Sequence, residues 1–292
     1  MALTNIDHLP TLSRRPPDSN KGTFGRVLVT AGSRGMSGAA VLCGSAALRG
    51  GAGLVHLAIP REILPIVAQG NPCYMTIPLP QDGDGRLSLE AREQLLALGR
   101  ANDVVAIGPG LGRSSDLSSM LAEFVEKCPV PMVLDADGLN AFADQVEALK
   151  KHAGPLVITP HPGEFARLLH VDVPTVQAQR EDLARRFAGD FGVIVVLKGH
   201  GTIVTDGQRM YRNTTGNPGM ATGGSGDVLT GLTAALIGQA KSQGWDLFQA
   251  VQLAVHVHGL AGDLARDELG EMGLIASDLV TYLPRTLQKV QV

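Results

Sequence analysis

Residues 131–162 have the sequence PMVLDADGLNAFADQVEALKKHAGPLVITPHP, and this stretch decides the fold class. Its two ends, 131–137 and 156–162, are short runs of Val, Ile and Leu, as in buried β-strands. The segment between them, 138–151, has the apolar spacing of a helix. A strand, a helix and a second strand in this order form a βαβ unit with parallel strands. The sequence therefore predicts an α/β protein.

The same alternation recurs along most of the chain. Further strands are predicted at 26–32, 53–59, 75–80, 104–110 and 193–199, and helices at 37–50, 88–99, 115–127, 173–190, 226–240, 245–265 and 275–288. The segment GTIVTDGQRMYRN after Lys198 contains two short strand patterns joined by Asp206-Gly207, a hairpin dipeptide. We therefore expect a mainly parallel sheet, flanked by helices, with an antiparallel edge.

Composition narrows the possible partners and the domain organisation. The chain has 292 residues and a net charge of −3, with no basic stripe, so we expect a small-molecule ligand rather than nucleic acid. No linker-like segment divides it, which favours one domain at 21–292 after an N-terminal extension at 1–20. The three cysteines give no disulfide framework. With no secretory signal and no membrane-length apolar run, the expected location is the cytoplasm.

The run GNPGMATGGSGDVLTGLTAALIG, at 216–238, joins a glycine-rich loop to an apolar helix pattern. Free backbone amides at a helix start attract the phosphates of a nucleotide. Helix capping by Ser225 or Asp227 is the simpler alternative. Capping accounts for one such residue but not for the glycines around it, so phosphate binding is favoured. The helix start also predicts that Asp227 is ionised.

Other unusual motifs also follow strands directly. Carboxyl ends of parallel strands share one edge of a sheet, so GPGLG (108–112), DADGLN (135–140), TPHPGE (159–164) and KGHGT (198–202) should meet in one cleft. Each has a structural alternative. KGHGT could be a tight turn with Lys198 solvated, and His161 could have a structural role. Asp135 and Asp137 could hold Mg²⁺, or instead organise loops and cap the next helix.

Taken together, six motifs resemble one family. KGTFGRVLVTAGSRGMSGAA, GPGLG, VLDADGLN, TPHPGE, KGHGT and GNPGMATGGSGD are similar in content and order to the bacterial ADP-dependent NAD(P)H-hydrate dehydratases of the ribokinase-like superfamily. The likeness extends from about Lys21 to the final helices. It implies a single ribokinase-like three-layer α/β/α sandwich without a fused epimerase domain.

The resemblance also implies roles for particular residues. Asp227 is the expected catalytic residue. The residues expected to bind the hydrated nicotinamide substrate are Ala39, Gly110, Gly112, His161 and Asp227. The residues expected to bind the nucleotide are Lys198, Gly199, His200, Gly201, Thr202, Gly224, Ser225 and Gly226. Mg²⁺ is the family's metal, and its ligands are left unassigned.

The implied activity is repair of a damaged cofactor. A family member dehydrates the S epimer of hydrated NADH or NADPH (NADHX or NADPHX) at the expense of ADP, giving AMP and phosphate, with ATP as the other possible co-substrate. A separate NAD(P)HX epimerase is the implied functional partner, and a homotetramer the implied assembly. Two alternatives stay open: a ribokinase-like small-molecule kinase of the thiazole or hydroxymethylpyrimidine type, and a non-catalytic nucleotide-binding protein.

Overall fold

A ten-stranded sheet forms the centre of the protein, in a computed structural model that describes residues 3–292. The strands are β1 Thr4–Asn5, β2 Arg26–Thr30, β3 Leu54–Pro60, β4 Met75–Leu79, β5 Val104–Ile107, β6 Met132–Leu134, β7 Leu156–Ile158, β8 Ile194–Leu197, β9 Ile203–Thr205 and β10 Arg209–Arg212. Their order across the sheet is β1-β10-β9-β8-β7-β6-β5-β2-β3-β4. Strand β9 is antiparallel to both of its neighbours, and the other described pairs are parallel.

Helices cover both faces of this sheet. They are α1 Ser37–Arg49, α2 Leu64–Gly70, α3 Arg92–Ala101, α4 Ser115–Lys127, α5 Asp137–Asn140, α6 Pro162–Leu169, α7 Val173–Ala178, α8 Arg180–Phe191, α9 Ser225–Gln243, α10 Leu247–Leu269 and α11 Ala276–Val290. One face packs against α3, α4, α6 and α8. The other packs against α1, α9 and α10, with α11 outside them. The predicted three-layer α/β/α sandwich with an antiparallel edge is confirmed.

Strand β2 shows why the short apolar runs form the centre of the sheet. Successive side chains of a strand point to opposite faces. Val27 and Val29 accordingly join the core on the α1 side, and Leu28 joins the core on the α4 side, all of them fully buried. Burying such a side chain contributes roughly 1.5–3 kcal/mol. A strand covered on both faces therefore needs a continuous apolar sequence rather than an alternating one.

Two predicted helices are wrong in extent. The segment 138–151 is not one helix: α5 ends at Asn140, and a separate 3-10 helix follows at Val146–Lys151. Asp137 at the start of α5 accepts hydrogen bonds from Gly112 and Asn140, which holds this single turn against the strand ends. The segment 173–190 divides at Gln179, whose backbone is not helical, into α7 and α8. Helices α2 and α6 were not predicted.

The strand order reverses between β2 and β5, because β2 pairs with β3 on one side and β5 on the other. Ligands of open α/β sheets bind at such switch points, outside the carboxyl ends of the strands. The two loops there are bound to each other. The Gly32 amide donates to Pro109 O over 2.8 Å, and Ser33 Oγ donates to Gly110 O over 2.8 Å.

The N-terminal segment lies along the opposite edge of the sheet. Strand β1 pairs with β10. Trp245 Nε1 donates to Thr11 O over 2.9 Å, and Gln252 Nε2 donates to His8 O over 2.7 Å. This segment therefore covers the edge strand β10. Among the helices of residues 3–292, none combines the length and the apolar character that a membrane span requires.

Candidate active site

The start of helix α9 leaves backbone amides without side-chain caps. Its N-cap residue is Gly224, in the left-handed conformation with φ of 92°, and no side chain caps the helix. Ser225 and Asp227 follow the cap as the first and third helical residues, so the capping alternative is wrong for both. Helix α9 has 19 residues, and its uncapped start directs free N–H groups at the cleft. Such a helix start is suited to bind an anion.

Asp227 is the part-buried carboxylate of this turn, and within the described chain its side chain accepts no hydrogen bond. Burial, and next the negative charge of Asp135, raise its pKa from 3.8 to about 7, although Lys198 acts in the opposite direction. The expectation that the helix start keeps Asp227 fully ionised is therefore wrong. Desolvation and the nearby acid outweigh the helix dipole. A carboxylate with this pKa is suited to proton transfer near neutral pH.

Lys198 lies beside Asp227 in a buried ion pair. Its Nζ donates to Asp135 Oδ1 over 2.8 Å, and Asp135 Oδ2 accepts from Thr230 Oγ1 over 2.8 Å. Asp135 is 1% exposed, so both of its oxygens are committed to these partners. Burial alone would lower the pKa of Lys198, but Asp135, Glu164 and Asp227 together raise it. The lysine therefore brings a fixed positive charge to the cleft, and the alternative in which it is solvated is wrong.

Gly226, in the first turn of α9, lies close to this ion pair. A β-carbon built there would lie 3.2 Å from Lys198 Nζ and 3.7 Å from Asp135 Oδ2. The absence of a side chain thus allows the lysine to reach the helix start. We call Asp135, Glu164, Lys198, Gly226 and Asp227 the Lys198 cluster.

His161 begins helix α6 next to this cluster. Its Nδ1 accepts from the amides of Gly163 and Glu164, and Glu164 Oε2 accepts from the His161 amide, which forms a reciprocal capping box. Burial lowers the pKa of His161, and Lys198 lowers it further. The ring is therefore neutral with Nε2 protonated, a donor that a ligand in the cleft could use. Glu164 Oε2 lies 3.9 Å from Lys198 Nζ.

Ala39 and the two predicted glycines lie together at the switch point. A β-carbon on Gly110, whose φ is 64°, would be 2.9 Å from Ala39 Cβ. The Gly112 amide donates to Asp137 Oδ2 over 2.9 Å. Asp137 therefore holds the loop, and the three predicted substrate residues form a close backbone surface that side chains would block.

The KGHGT segment is a tight turn between β8 and β9. Gly199 and Gly201 have φ of 134° and 64°, and Thr202 Oγ1 donates to Gly199 O over 2.9 Å. His200 is exposed. KGHGT can be both a tight turn and part of a nucleotide site, because Lys198 at the start of the turn belongs to the Lys198 cluster.

Sequence reasoning missed several residues that position these loops. Arg180 donates to Leu197 O over 3.0 Å and to Lys198 O over 3.3 Å, from behind the KGHGT turn. His258 Nε2 lies 2.9 Å from Ser225 O, and burial lowers its pKa to about 4. The carboxylate of Asp263 accepts from the Gly216 amide over 2.8 Å. All three act across long sequence separations, which one sequence does not reveal.

The resemblance implies Mg²⁺, and the carboxylates of the cleft are the side chains that could bind it. In residues 3–292, no group of three or more His, Cys, Asp or Glu is arranged to hold a metal ion. Mg²⁺ usually keeps several waters and is held by one or two carboxylates together with substrate phosphates. Asp227 offers such oxygens, whereas Asp135 is occupied by Lys198 and Thr230, and buried Glu164 by the His161 amide. The donor set fits an ion that arrives with a nucleotide.

A parallel sheet with a glycine-rich helix start, a buried lysine and carboxylates at one edge is typical of α/β proteins that bind phosphorylated ligands. Comparison with known families identifies the family within this class. Residues 27–285 match the model of the Carb_kinase family, described as NAD(P)H-hydrate dehydratase, and the chain belongs to this family.

Individual relatives agree with this membership. The bifunctional NAD(P)H-hydrate repair enzyme of Moorella thermoacetica is 43% identical over 96% of this chain, which spans 52% of that relative's length. The ADP-dependent (S)-NAD(P)H-hydrate dehydratase of Neisseria meningitidis is 40% identical over 91% of this chain and 86% of its own. The solved ADP/ATP-dependent NAD(P)H-hydrate dehydratase of Bacillus subtilis, co-crystallized with ATP/Mg²⁺, has a TM-score of 0.80 at 29% identity, covering 98% of this chain and 100% of its own. The fold is ribokinase-like, as in these neighbours.

Proposed function

We propose that the protein is an ADP-dependent (S)-NAD(P)H-hydrate dehydratase, which restores NADH and NADPH from NADHX and NADPHX. The observation that carries this proposal is the unpaired Asp227 carboxylate, with a pKa of about 7, at a glycine-rich helix start beside Lys198. The chain spans about half the length of the bifunctional relatives. Of the two activities of such a relative, we therefore propose only the dehydratase for this chain.

The reaction begins with transfer of a phosphoryl group. Asp227 takes the proton of the hydroxyl on C6 of the hydrated nicotinamide ring, and the oxygen attacks the β-phosphorus of ADP. The phosphoanhydride bond breaks and AMP leaves. The amides of Gly224, Ser225 and Gly226 and the Lys198 ammonium stabilise the charge on the transferred group. When bound with the nucleotide beside Asp227, Mg²⁺ would neutralise phosphate charge.

The second step releases phosphate. The lone pair of the ring nitrogen expels the phosphorylated oxygen from C6, and the released phosphate takes a proton from C5, which restores the C5–C6 double bond of the dihydronicotinamide. His161 and the backbone surface of Ala39, Gly110 and Gly112 are proposed to hold the ring, while the KGHGT turn (Lys198, Gly199, His200, Gly201, Thr202) binds ADP. The neutral His161 Nε2 supplies a hydrogen-bond donor for the ring substituents.

The products distinguish this proposal from the kinase and from a non-catalytic binding protein. Incubation with NADHX, Mg²⁺ and either ADP or ATP should restore the absorbance of reduced nicotinamide and release one phosphate per NADH. A stable phosphorylated metabolite without NADH would favour the kinase. Nucleotide binding without turnover would favour the binding protein.

The cellular setting follows from the proposed activity. Since a dehydratase of this kind consumes one epimer, an NAD(P)HX epimerase is the proposed functional partner, acting in the cytoplasm. A homotetramer is the proposed assembly, and light scattering of the purified chain tests it. A monomer at micromolar concentration would contradict the tetramer.

A further inference from the structure

A groove of about 840 Å³ runs along helix α6 and starts beside His161, since Gly163 lines it and a β-carbon on Gly163 would lie 2.9 Å from His161 Cε1. It begins at Gly112, Asp137 and Gly163 and ends at His170 and Val173, and we call it the α6 groove. Eight helical residues extend about 12 Å. The volume lies within the roughly 300–1,000 Å³ typical of ligand pockets. The groove is therefore large enough for part of a ligand whose reacting end lies at His161.

Two cationic side chains, Arg113 and Arg167, line the α6 groove. Arg167 Nε donates to Asn140 Oδ1 over 3.0 Å, and within residues 3–292 its guanidinium forms no ion pair. Arg113 is 63% exposed, and its Nε lies 3.7 Å from Asp137 Oδ1. A guanidinium with free N–H groups is well suited to bind phosphate in a bidentate manner. This part of the groove thus fits a pyrophosphate.

The far end of the α6 groove is apolar. Val171 and Val173 are 39% and 42% exposed, although both are large apolar side chains. They follow His170, which ends α6 in the left-handed conformation, with φ of 54°. Asp144 also lines the groove, and carboxylates commonly bind ribose hydroxyls in nucleotide sites. An apolar floor beside a carboxylate fits a nucleoside.

We propose that the α6 groove binds the adenosine half of the dinucleotide substrate, with Arg167 and Arg113 at its pyrophosphate and Val171 and Val173 against the adenine. This inference rests on the proposed function. It places the substrate on the α6 side of the Lys198 cluster and ADP on the side of the KGHGT turn, so two nucleotides approach Asp227 from different directions. Arg167 is then a specificity-determining residue that discriminates a dinucleotide from a mononucleotide.

Substrate truncation combined with mutation tests the proposal. Hydrated reduced nicotinamide mononucleotide keeps the reacting ring but lacks the adenosine half. We expect the wild-type protein to have a higher kcat/KM for NADHX, and Arg167→Gln and Val173→Asp each to lower that value about tenfold or more, as lost charged or desolvated contacts do. Their kcat/KM for the truncated substrate and their KM for ADP should stay within about twofold of wild type.

Arg186→Gln is the matched control, because Arg186 lies on α8, is 66% exposed and pairs with Asp182 outside the groove. It should leave all of these values unchanged. Equal loss for both substrates, or a raised KM for ADP in Arg167→Gln, would overturn the proposal. Melting temperatures show whether each variant is folded. Fluorescence titrations with NADH and with reduced nicotinamide mononucleotide compare the two binding affinities without turnover. Wild-type protein that turns over neither substrate but binds NADH through Arg167 would overturn the proposed function alone.

Discussion

Asp227 combines two features at the scale of a single residue. The turn that presents free amides to a phosphate also carries a carboxylate that accepts no hydrogen bond within residues 3–292. Its pKa of about 7 arises mainly from burial, with Asp135 adding to it. The sequence identified the residue but not its protonation, because one sequence does not show that Asp135 lies next to it.

Replacing Asp227 by Asn tests its role in proton transfer. The amide has a similar size but is not a base, so kcat for NADHX should fall by about 10²–10⁴-fold. ADP affinity, measured by calorimetric titration, should change little, because the amides and Lys198 bind the phosphates. Near-normal turnover would contradict the assignment.

The pH dependence of kcat/KM should report the same group. Ionised Asp227 is the active form, so activity should rise with pH and level off above a pKa of about 7. Initial rates between pH 5.5 and 8.5, in a buffer series of constant ionic strength, measure this. A flat profile across that range would show that another group accepts the proton.

Stability provides an independent readout of Asp227. Its pKa is raised in the folded state from 3.8 to about 7, so the folded protein holds this proton to higher pH than the unfolded chain does. Stability should therefore decline as pH rises through this window. Asp227→Asn should melt higher than wild type at pH 8, by about 2–4 °C for each kcal/mol regained. A lower melting temperature at pH 8 would contradict the raised pKa.

At the scale of elements, the start of α9 and the end of β8 form one unit through Lys198 and Gly226. The sequence predicted that the KGHGT motif after β8 and the glycine-rich start of α9 both lie at one edge of the sheet. It did not predict that they touch. The contact itself depends on packing across the cleft. In the same way, α6 was missed because its start at His161 lies between two prolines, which look like a loop in sequence.

Gly226→Ala tests this unit. A β-carbon 3.2 Å from Lys198 Nζ should displace the ammonium and weaken its pair with Asp135. We expect the Kd for ADP to rise about tenfold, as for loss of one charged hydrogen bond. Gly223→Ala is the matched control, since a β-carbon there has open space around it. Equal effects of both substitutions on Kd would contradict the proposed contact.

At the scale of the whole molecule, the order of strands brings the motifs to one cleft. The fold class was predictable because the central parallel strands, β5 to β8, are continuous apolar runs between helical patterns. The reversal between β2 and β5 and the packing of β1 on β10 were not, since both depend on pairing between distant segments. The divided helices at 138–151 and 173–190 likewise reflect tertiary contacts, with Gly112 and with the end of β8.

Removal of residues 3–13 tests the role of the N-terminal segment. This deletion exposes the β10 edge and removes the backbone acceptors of Trp245 and Gln252. The melting temperature should fall, and aggregation should increase, because an unpaired strand edge can pair with another chain. ADP affinity should persist at low temperature. Unchanged melting and solubility would show that the segment does not stabilise the sheet.

The central claim is that the hydroxyl of the substrate is phosphorylated before it leaves. NADHX carrying an oxygen isotope label in its C6 hydroxyl tests this claim directly, in the presence of ADP and Mg²⁺. We expect mass spectrometry to find the label in the released phosphate, with one AMP and one NADH formed for each phosphate. Recovery of the label in water would mean that the C–O bond breaks without phosphorylation, and would contradict the account.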